Sequence, residues 1–502
     1  MEQLGIQNLN TTIESYSNTA LLGGTQAETG SYTSLDADGN PITSLMADVN
    51  LRQDPFYSQY TDTIDAPEEL QVLPDLPGMG RLRSLQEAAA LSPALADVLS
   101  RYATAETRTE QRALLDQVLL EWAKTDPQYT ENPIRVWHSS TGGLSYDENS
   151  SNVIYLRRGQ STTVVLPSFA DELLVQRART LDAAMGRTPT TTLNQGVASQ
   201  ISGTNKAYNA LADTIYLSLL TQTRLKKYLD SVELAVTDNS INLDVSGITA
   251  MFQDKITADP VNGLTDLIEF NKVAADFLFG TQWDGYAILE ETLRNLTVTP
   301  ELQEVFTTFN VRFNGALGTA DGDITLGNEV NRTISGADGD DVLLGGSGNE
   351  TIAGGNGNDV ITGGSGNDHL RGEAGDDIYI FRRGNGNDNI KDTQGTNSIL
   401  FSGLTPEEVT VTANCYDNLT FRINDTGETL TVESTSWYID NFQIAYGNPI
   451  DLIIFSDGTV WDKDEALRQS VIRPTDGDDT IVGSSIDDII MGLGGNDTIT
   501  GG

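Results

Sequence analysis

The chain has 502 residues, one cysteine, two histidines, and 72 acidic against 30 basic side chains, a formal charge of −42. That length supports several domains with cores of their own, and the lone Cys415 excludes an internal disulfide framework and any thiolate metal cluster within one chain. With only His138 and His369, imidazole metal sites and His-dependent triads lack material; the acidity opposes nucleic acid and anionic lipid as partners, and hard, oxygen-liganded cations remain.

The start, MEQLGIQNLN, carries neither a basic n-region nor an apolar h-region, and no run of about 18 apolar residues occurs, so neither a Sec signal nor a membrane span is expected. Residues 1–65 read as short strands, with Tyr32 to Leu35 and Ile42 to Leu51 flanking the turn-forming Asp36, Ala37, Asp38, Gly39 and Asn40. The DxDG here is not an EF-hand: its glycine belongs at the sixth position and a bidentate Glu at the twelfth, where Ala47 stands. Residues 66–315 are expected to be mostly helical. Pro77 and Gly78 lead into Leu82, Leu85 and Ala89 at helical spacing, and Ser92 before Pro93 has the form of an N-cap with proline at N1. Tyr208, Leu211, Ile215 and Leu219, then Leu264, Leu267 and Ile268, continue apolar stripes that are read as core.

From about residue 316 glycine, asparagine and aspartate rise together and helical periodicity gives way to a nine-residue beat. It reads GADGDDVLL from Gly336, then GGSGNETIA, GGNGNDVIT, GGSGNDHLR and GEAGDDIYI, ending at Ile380. One acid recurs on it, at Asp341, Glu350, Asp359, Asp368 and Asp377, with Leu343, Ile352, Ile361, Leu370 and Tyr379 two residues later. Glycines such as Gly346, Gly348, Gly355, Gly357, Gly364 and Gly366 permit tight turns with φ > 0 whose carbonyls can point inward. Each following triplet is a short strand whose one apolar residue gains a core only by stacking at about 4.8 Å. Stacking also aligns the carboxylates, and a divalent cation between turns, taking carboxylate and carbonyl oxygens at about 2.3–2.6 Å, removes their repulsion. With two nonapeptides per turn of a parallel β-roll, Asp341, Asp359 and Asp377 line one side and Glu350 and Asp368 the other. Glu350 adds a methylene, so its site with Asp368 is expected to be weaker or differently placed.

Upstream, GTADGDITL and GNEVNRTIS, from Gly318 to Ser335, have the form of degenerate turns; Asn331 and Arg332 hold the place of the acid pair, so a capping turn without a strong ion is expected. A second block, 474–502, repeats the beat with Asp479, Asp488 and Asp497 and with Ile481, Ile490 and Ile499, although Ile486 stands where a turn glycine belongs. Gly501 and Gly502 open another repeat, so the natural chain is expected to continue, with Met1 a candidate internal residue.

This motif resembles the GGxGxDxUx repeat of RTX, haemolysin-type calcium-binding proteins. A flexible Gly/Asn/Asp linker would have no reason to keep the apolar beat. DIYIFRRGNGNDNIKD, ILFSGLTPEEVTVT, LTFRINDTGETLTVES and LIIFSDGTVWD resemble the haemolysin-type calcium-binding-related domain, over residues 378–468. Its alternating strands are expected to form a small β-rich unit capping the first roll, with Trp461 in the core and Asp388 placed to close the last ion site. LPDLPGMGRLRSL and IYLSLLTQTRLKKYLDSV are similar to segments that precede repeats in very large RTX exoproteins.

The fold expected is an α+β multidomain chain: a β-rich segment at 1–65, a helical region at 66–315, a β-roll at 316–392, the β domain at 378–468 and a truncated second roll at 474–502. The resemblance implies Ca²⁺ as the cofactor, in roughly four to seven sites. It further implies folding in the calcium-rich medium outside the cell, export by type I secretion machinery through an uncleaved C-terminal signal, and a secreted or cell-surface location. The function expected is calcium binding within a toxin-like or adhesin-like exoprotein whose ligand the sequence does not name. An enzyme is not expected, because HExxH and G-x-S-x-G motifs are absent. The alternatives are the C-terminal part of a secreted RTX enzyme, and calcium-triggered self-cleavage, as some family relatives perform, at Asp54-Pro55, Asp126-Pro127 or Asp259-Pro260. Ordinary turn and helix-start roles account for those pairs more simply.

Overall fold

The computed structural model describes residues 6–21, 24–35, 41–51, 58–136, 168–193, 197–236, 241–315, 317–328, 332–392, 394–413, 418–433, 435–439, 443–447, 449–470, 480–482 and 495–500. Residues 1–103 with 113–216 form one compact unit and residues 104–112 with 217–502 a second. The composition change near 316 therefore falls inside the second unit.

In the first unit Ile6–Leu21, Gly24–Leu35 and Pro41–Leu51 make an antiparallel three-stranded sheet, while the turn at 36–40 lies outside the described residues. Helices follow. Ser92 Oγ accepts the N–H of Leu95 at 3.2 Å, with Pro93 first in helix Pro93–Thr104. Leu82, Leu85, Ala89, Tyr208 and Ile215 are buried, as their spacing requires. The Asp126-Pro127 pair sits at a buried ion pair in which Arg81 Nε donates to both Asp126 oxygens at 3.0 Å. Asp54-Pro55 lies outside the described residues. No described helix is long and apolar enough to cross a membrane.

The second unit contains helices Ser246–Ala258, Pro260–Leu278, Gly285–Asn295 and Pro300–Thr308 ahead of the repeats. Three of their starts are set by capping side chains: Asp259 accepts from Asn262 N–H at 3.2 Å, Asp284 from Ala287 at 2.8 Å and Thr299 from Leu302 at 3.3 Å. Asp259-Pro260 is thus a cap followed by proline at N1.

The chain then builds two ladders of parallel strands. One runs Val311–Phe313, Ile324–Leu326, Val342–Gly346, Val360–Gly364, Ile378–Phe381, Asn397–Phe401 and Ile450–Phe455, and ends on the antiparallel strand Val460–Asp462. The other runs Thr333–Asp338, Thr351–Asn356, His369–Ala374, Asn387–Ile390 and Thr429–Val432, and ends on antiparallel Leu419–Ile423 and Val409–Ala413. Within the repeats the register joins residues two nonapeptides apart: Leu343 with Ile361, Ile361 with Tyr379, Ile334 with Ile352 and Ile352 with Leu370. This is consistent with a β-roll. The apolar residues of the beat form one core that runs without a break into Ile399, Phe401, Phe421, Phe455 and Trp461. The segments expected as a small β-rich capping unit extend both ladders, share their core and end each ladder in antiparallel strands.

The outer faces of the two ladders differ. Val342, Val360, Ile378, Ile380, Leu400 and Ile454 of the first pack against Ala275, Phe279 and Tyr286 from the helical segment. The second presents His369, Arg371 and Glu373 to solvent. An aspartate replacing Val360 would be an unpaired charge in an apolar contact, so Val360→Asp is expected to destabilise the second unit by about 3 kcal/mol or more. Arg371→Asp, on the polar face, is expected to stay within about 0.5 kcal/mol. Urea unfolding in saturating calcium checks both; equal losses would mean that the helices do not cover the first ladder.

Candidate metal centre

Each acid of the beat stands immediately before a strand: Asp341 before Val342–Gly346, Glu350 before Thr351–Asn356, Asp359 before Val360–Gly364, Asp368 before His369–Ala374 and Asp377 before Ile378–Phe381. Parallel stacking brings these residues into two files. In the first file the N–H of Asp323 donates to Asp341 Oδ1 at 2.6 Å, that of Asp341 to Asp359 Oδ1 at 2.8 Å, and that of Asp359 to Asp377 Oδ1 at 2.8 Å. The file continues through Asn397, which accepts from Asp377 N–H at 2.9 Å, to Asp451, which accepts from Asn397 N–H at 2.9 Å. In the second file Glu350 N–H donates to Asp368 Oδ1 at 2.6 Å and Asp368 N–H to Asp388 Oδ1 at 2.9 Å.

One oxygen of each repeat aspartate is thereby engaged, and one of Glu350 accepts from Gly346 N–H instead. The other has no hydrogen-bond partner among the described residues at Asp341, Glu350, Asp359, Asp368 and Asp377, each at most 1% exposed. A buried, unsatisfied carboxylate oxygen is costly, and native folds rarely keep one without a reason. Here one carboxylate oxygen is orphaned at five successive positions of the beat. The surroundings supply further oxygen: a Cβ placed on Gly354 would run into Asp359 Oδ2 and come within 2.7 Å of the Gly372 carbonyl, and one on Gly336 would meet Asp341 Oδ2 and the Gly354 carbonyl in the same way. Carboxylate and main-chain carbonyl thus crowd a space that only glycine leaves open. Among the described residues no three carboxylate, imidazole or thiolate side chains gather at one point. The donors on offer are hard oxygens of mixed type, which suit calcium and not zinc.

Glu350 departs from its neighbours. Its Oε2 accepts from Gly346 N–H at 3.2 Å while Oε1 is the orphan, and a Cβ on Gly345 would meet carbonyl oxygens of Gly363 and Thr362 and not the carboxylate. Gly355, Gly357, Gly364 and Gly366 have φ of +124°, +135°, +82° and +153°. At Gly346 stacking space matters instead, since a Cβ there would strike the Asn328 carbonyl; the Gly348 carbonyl fills the place of a Cβ on Gly366. Asp388 is buried, and its register partner on the next strand is Leu430, so the second file ends against an apolar residue. In the C-terminal block Thr480–Val482 pairs in parallel with Thr498–Thr500, which Asp497 precedes; Asp479 and Asp488 lie outside the described residues.

Several residues of the files were not singled out from sequence. Asp323 lies on the beat in a degenerate turn, and its carboxylate is held by Arg312 Nε at 2.8 Å and Thr319 N–H at 2.6 Å. Asn397 follows an insertion that lengthens the spacing from 18 to 20 residues, and Asp451 lies 54 residues further on, where the motif is no longer readable. Buried Asp392 accepts from the Tyr379 hydroxyl and from Gly372 N–H at 3.2 Å, which gives the one tyrosine of the apolar column a partner for its polar end. The residue before each acid has its own role. Asp340 accepts from Asn358 N–H at 2.9 Å, Asn358 from Asp376 at 2.8 Å and Asn349 from Asn367 at 2.9 Å, a second ladder running opposite to the first.

Burial, reinforced by neighbouring acids, pushes the carboxyl of Asp341 up to about 6, Asp359 to about 8 and Asp377 to about 7. Burial also raises Glu350, Asp368 and Asp388. An acid raised in the folded state stabilises the fold below the ordinary carboxylate range near 4 and loses that contribution as pH rises through the raised value. Without calcium the ladders are therefore expected to be most ordered near pH 4 to 5 and to lose order toward pH 8. Far-UV circular dichroism in chelator across that range checks this; equal β signal at both ends would contradict it.

Comparison with known proteins agrees with this geometry. The model of the RTX calcium-binding nonapeptide repeat matches four times, at residues 327–361, 344–379, 353–386 and 474–502. That of the haemolysin-type calcium binding protein related domain matches residues 418–465. The iron-regulated protein FrpA of Neisseria meningitidis serogroup C is 32% identical over 282 residues, 54% of this chain and 24% of that protein, so the chain spans about a quarter of this curated relative. The chain carries RTX haemolysin-type repeats together with their related domain, and such repeats bind Ca²⁺.

Proposed function

We propose that the two ladders wind as one parallel β-roll whose folding is coupled to calcium, and that this roll is the folding module of a secreted, toxin-like or adhesin-like protein. The observation that carries the first part is the orphaned oxygen at Asp341, Glu350, Asp359, Asp368 and Asp377. Ions between successive acids of a file would take that oxygen together with first-glycine carbonyls such as those of Gly354 and Gly372. The unfolded chain has no preformed site, so binding free energy adds directly to folding free energy. At cytosolic calcium the acidic, glycine-rich repeats stay open; at extracellular calcium they close.

The secreted role rests on the kinship of the repeats, which occur in proteins typically released from the cell, and type I secretion machinery is the corresponding partner. If that is right, the full parent protein should be found in the medium of intact cells and be retained by cells lacking their type I exporter.

For calcium-coupled folding, far-UV circular dichroism of the full chain is expected to show a cooperative gain of β signal at roughly 10⁻⁴–10⁻³ M Ca²⁺. The gain should be reversed by chelator and not reproduced by Mg²⁺. Asp359→Asn keeps the ladder acceptor and removes the charge, and is expected to move the midpoint about tenfold higher. A spectrum indifferent to calcium would reduce the repeats to a glycine-rich scaffold.

A further inference from the structure

At the first turn of each file an arginine lies beside the groups that later turns leave to orphaned acids. In the first file Arg312, on strand Val311–Phe313, places Nε 2.8 Å from Asp323, so this acid is already neutralised. In the second file the acid position is occupied by Arg332, and the Arg332 side chain turns away to the Asn314 carbonyl at 3.2 Å. The positive charge there comes from elsewhere. Arg294, near the end of helix Gly285–Asn295 and steadied by Glu290 at 2.8 Å, donates to the Gly345 carbonyl at 2.7 Å and the Gly327 carbonyl at 3.3 Å.

Gly327 and Gly345 are the first glycines of consecutive turns in one file. The equivalent carbonyls of the other file, on Gly354 and Gly372, crowd the same space as the orphaned oxygens of Asp341 and Asp359. The Arg294 guanidinium therefore lies on the file of carbonyls that would face a metal ion one or two turns further on.

We propose that Arg294 and Arg312 are fixed cations that replace calcium at the first turn of the two files, so that the segment 310–346 is ordered without calcium and templates the turns that follow. This rests on the calcium reading of the later turns. Arginine suits the task because its guanidinium is always charged and its fork of donors can bridge two carbonyls, whereas calcium has to be captured from solution. A preformed end also removes the most expensive step of ladder growth: each new turn then stacks on an existing one and adds an ion in the same step. The apolar contacts of Tyr286 with the first ladder, from the helix that bears Arg294, hold the guanidinium in place.

Hydrogen exchange of the full chain, resolved by peptide mass, tests this. In chelator, segment 310–346 is expected to stay protected while 351–390 exchanges freely, and calcium should protect both. Arg294→Gln and Arg312→Gln are each expected to reduce the chelator-state protection of 310–346 by about tenfold, as for loss of a hydrogen bond to a charged group. Arg294→Lys, which keeps the charge, should retain most of it, and saturating calcium should restore wild-type protection in all three. The proposal is overturned if 310–346 exchanges as freely as 351–390 in the wild-type chain without calcium. It is equally overturned if Arg294→Gln stays unprotected in saturating calcium, which would make Arg294 a packing residue. Protection of 351–390 that ignores calcium would instead bring down the calcium reading beneath it.

Discussion

Carboxylates stacked in register inside a protein repel one another, and everything distinctive in this molecule follows from the way that repulsion is met. The strands need the stacking, because each contributes one apolar residue and only a pile of them excludes water. Stacking the strands stacks the acids. One oxygen of each repeat aspartate accepts an N–H from the neighbouring turn, which fixes the carboxylate in direction and denies it a place in solvent. The other oxygen is left to a ligand from outside the chain. Hydrophobic burial and charge repulsion are thus set against each other in the same nine residues, and in the proposed reading a bound cation tips the balance.

The ends of the files show the same conflict solved by the chain itself. At the first turn arginine supplies the charge, through Arg312 on Asp323 and Arg294 on the Gly327 and Gly345 carbonyls. At the far end the run of buried acids is interrupted: Asn397 stands between Asp377 and the exposed Asp451 in the first file, and Leu430 follows Asp388 in the second. Antiparallel strands then close both ladders over the aromatic cluster of Phe401, Phe421, Phe455 and Trp461. The stretch of orphaned acids is thus bounded on one side by arginine-paired turns and on the other by Asn397 and Leu430.

The nine-residue beat was enough to place the repeat acids in two files and their apolar partners in one column, because both depend on local spacing alone. A longer rhythm in the same letters carries the helix contact. The residue before the buried one is Val342, Val360 and Ile378 in alternate turns, but Thr351, His369 and Asn389 in the turns between. That 18-residue alternation marks one ladder as apolar on its outer face, and it becomes legible once the period of a full coil is considered. Asn397 and Asp451 could not be found this way, since an insertion breaks the beat and their membership depends on register set by tertiary stacking. Arg294 is further out of reach: nothing in a helical segment announces that one of its side chains will rest on glycine carbonyls of a later turn. Local repetition is readable; a contact made across 51 residues by a single side chain is not.

The central claim, that the orphaned oxygens are cation ligands, is tested most directly by anomalous diffraction from crystals of the chain grown in calcium. The account predicts peaks along both files, each within coordination distance of an orphaned carboxylate oxygen: Oδ2 of Asp341, Asp359 and Asp377 in one, and Asp368 in the other. Files without peaks, with those oxygens protonated or bound only to water, would contradict it.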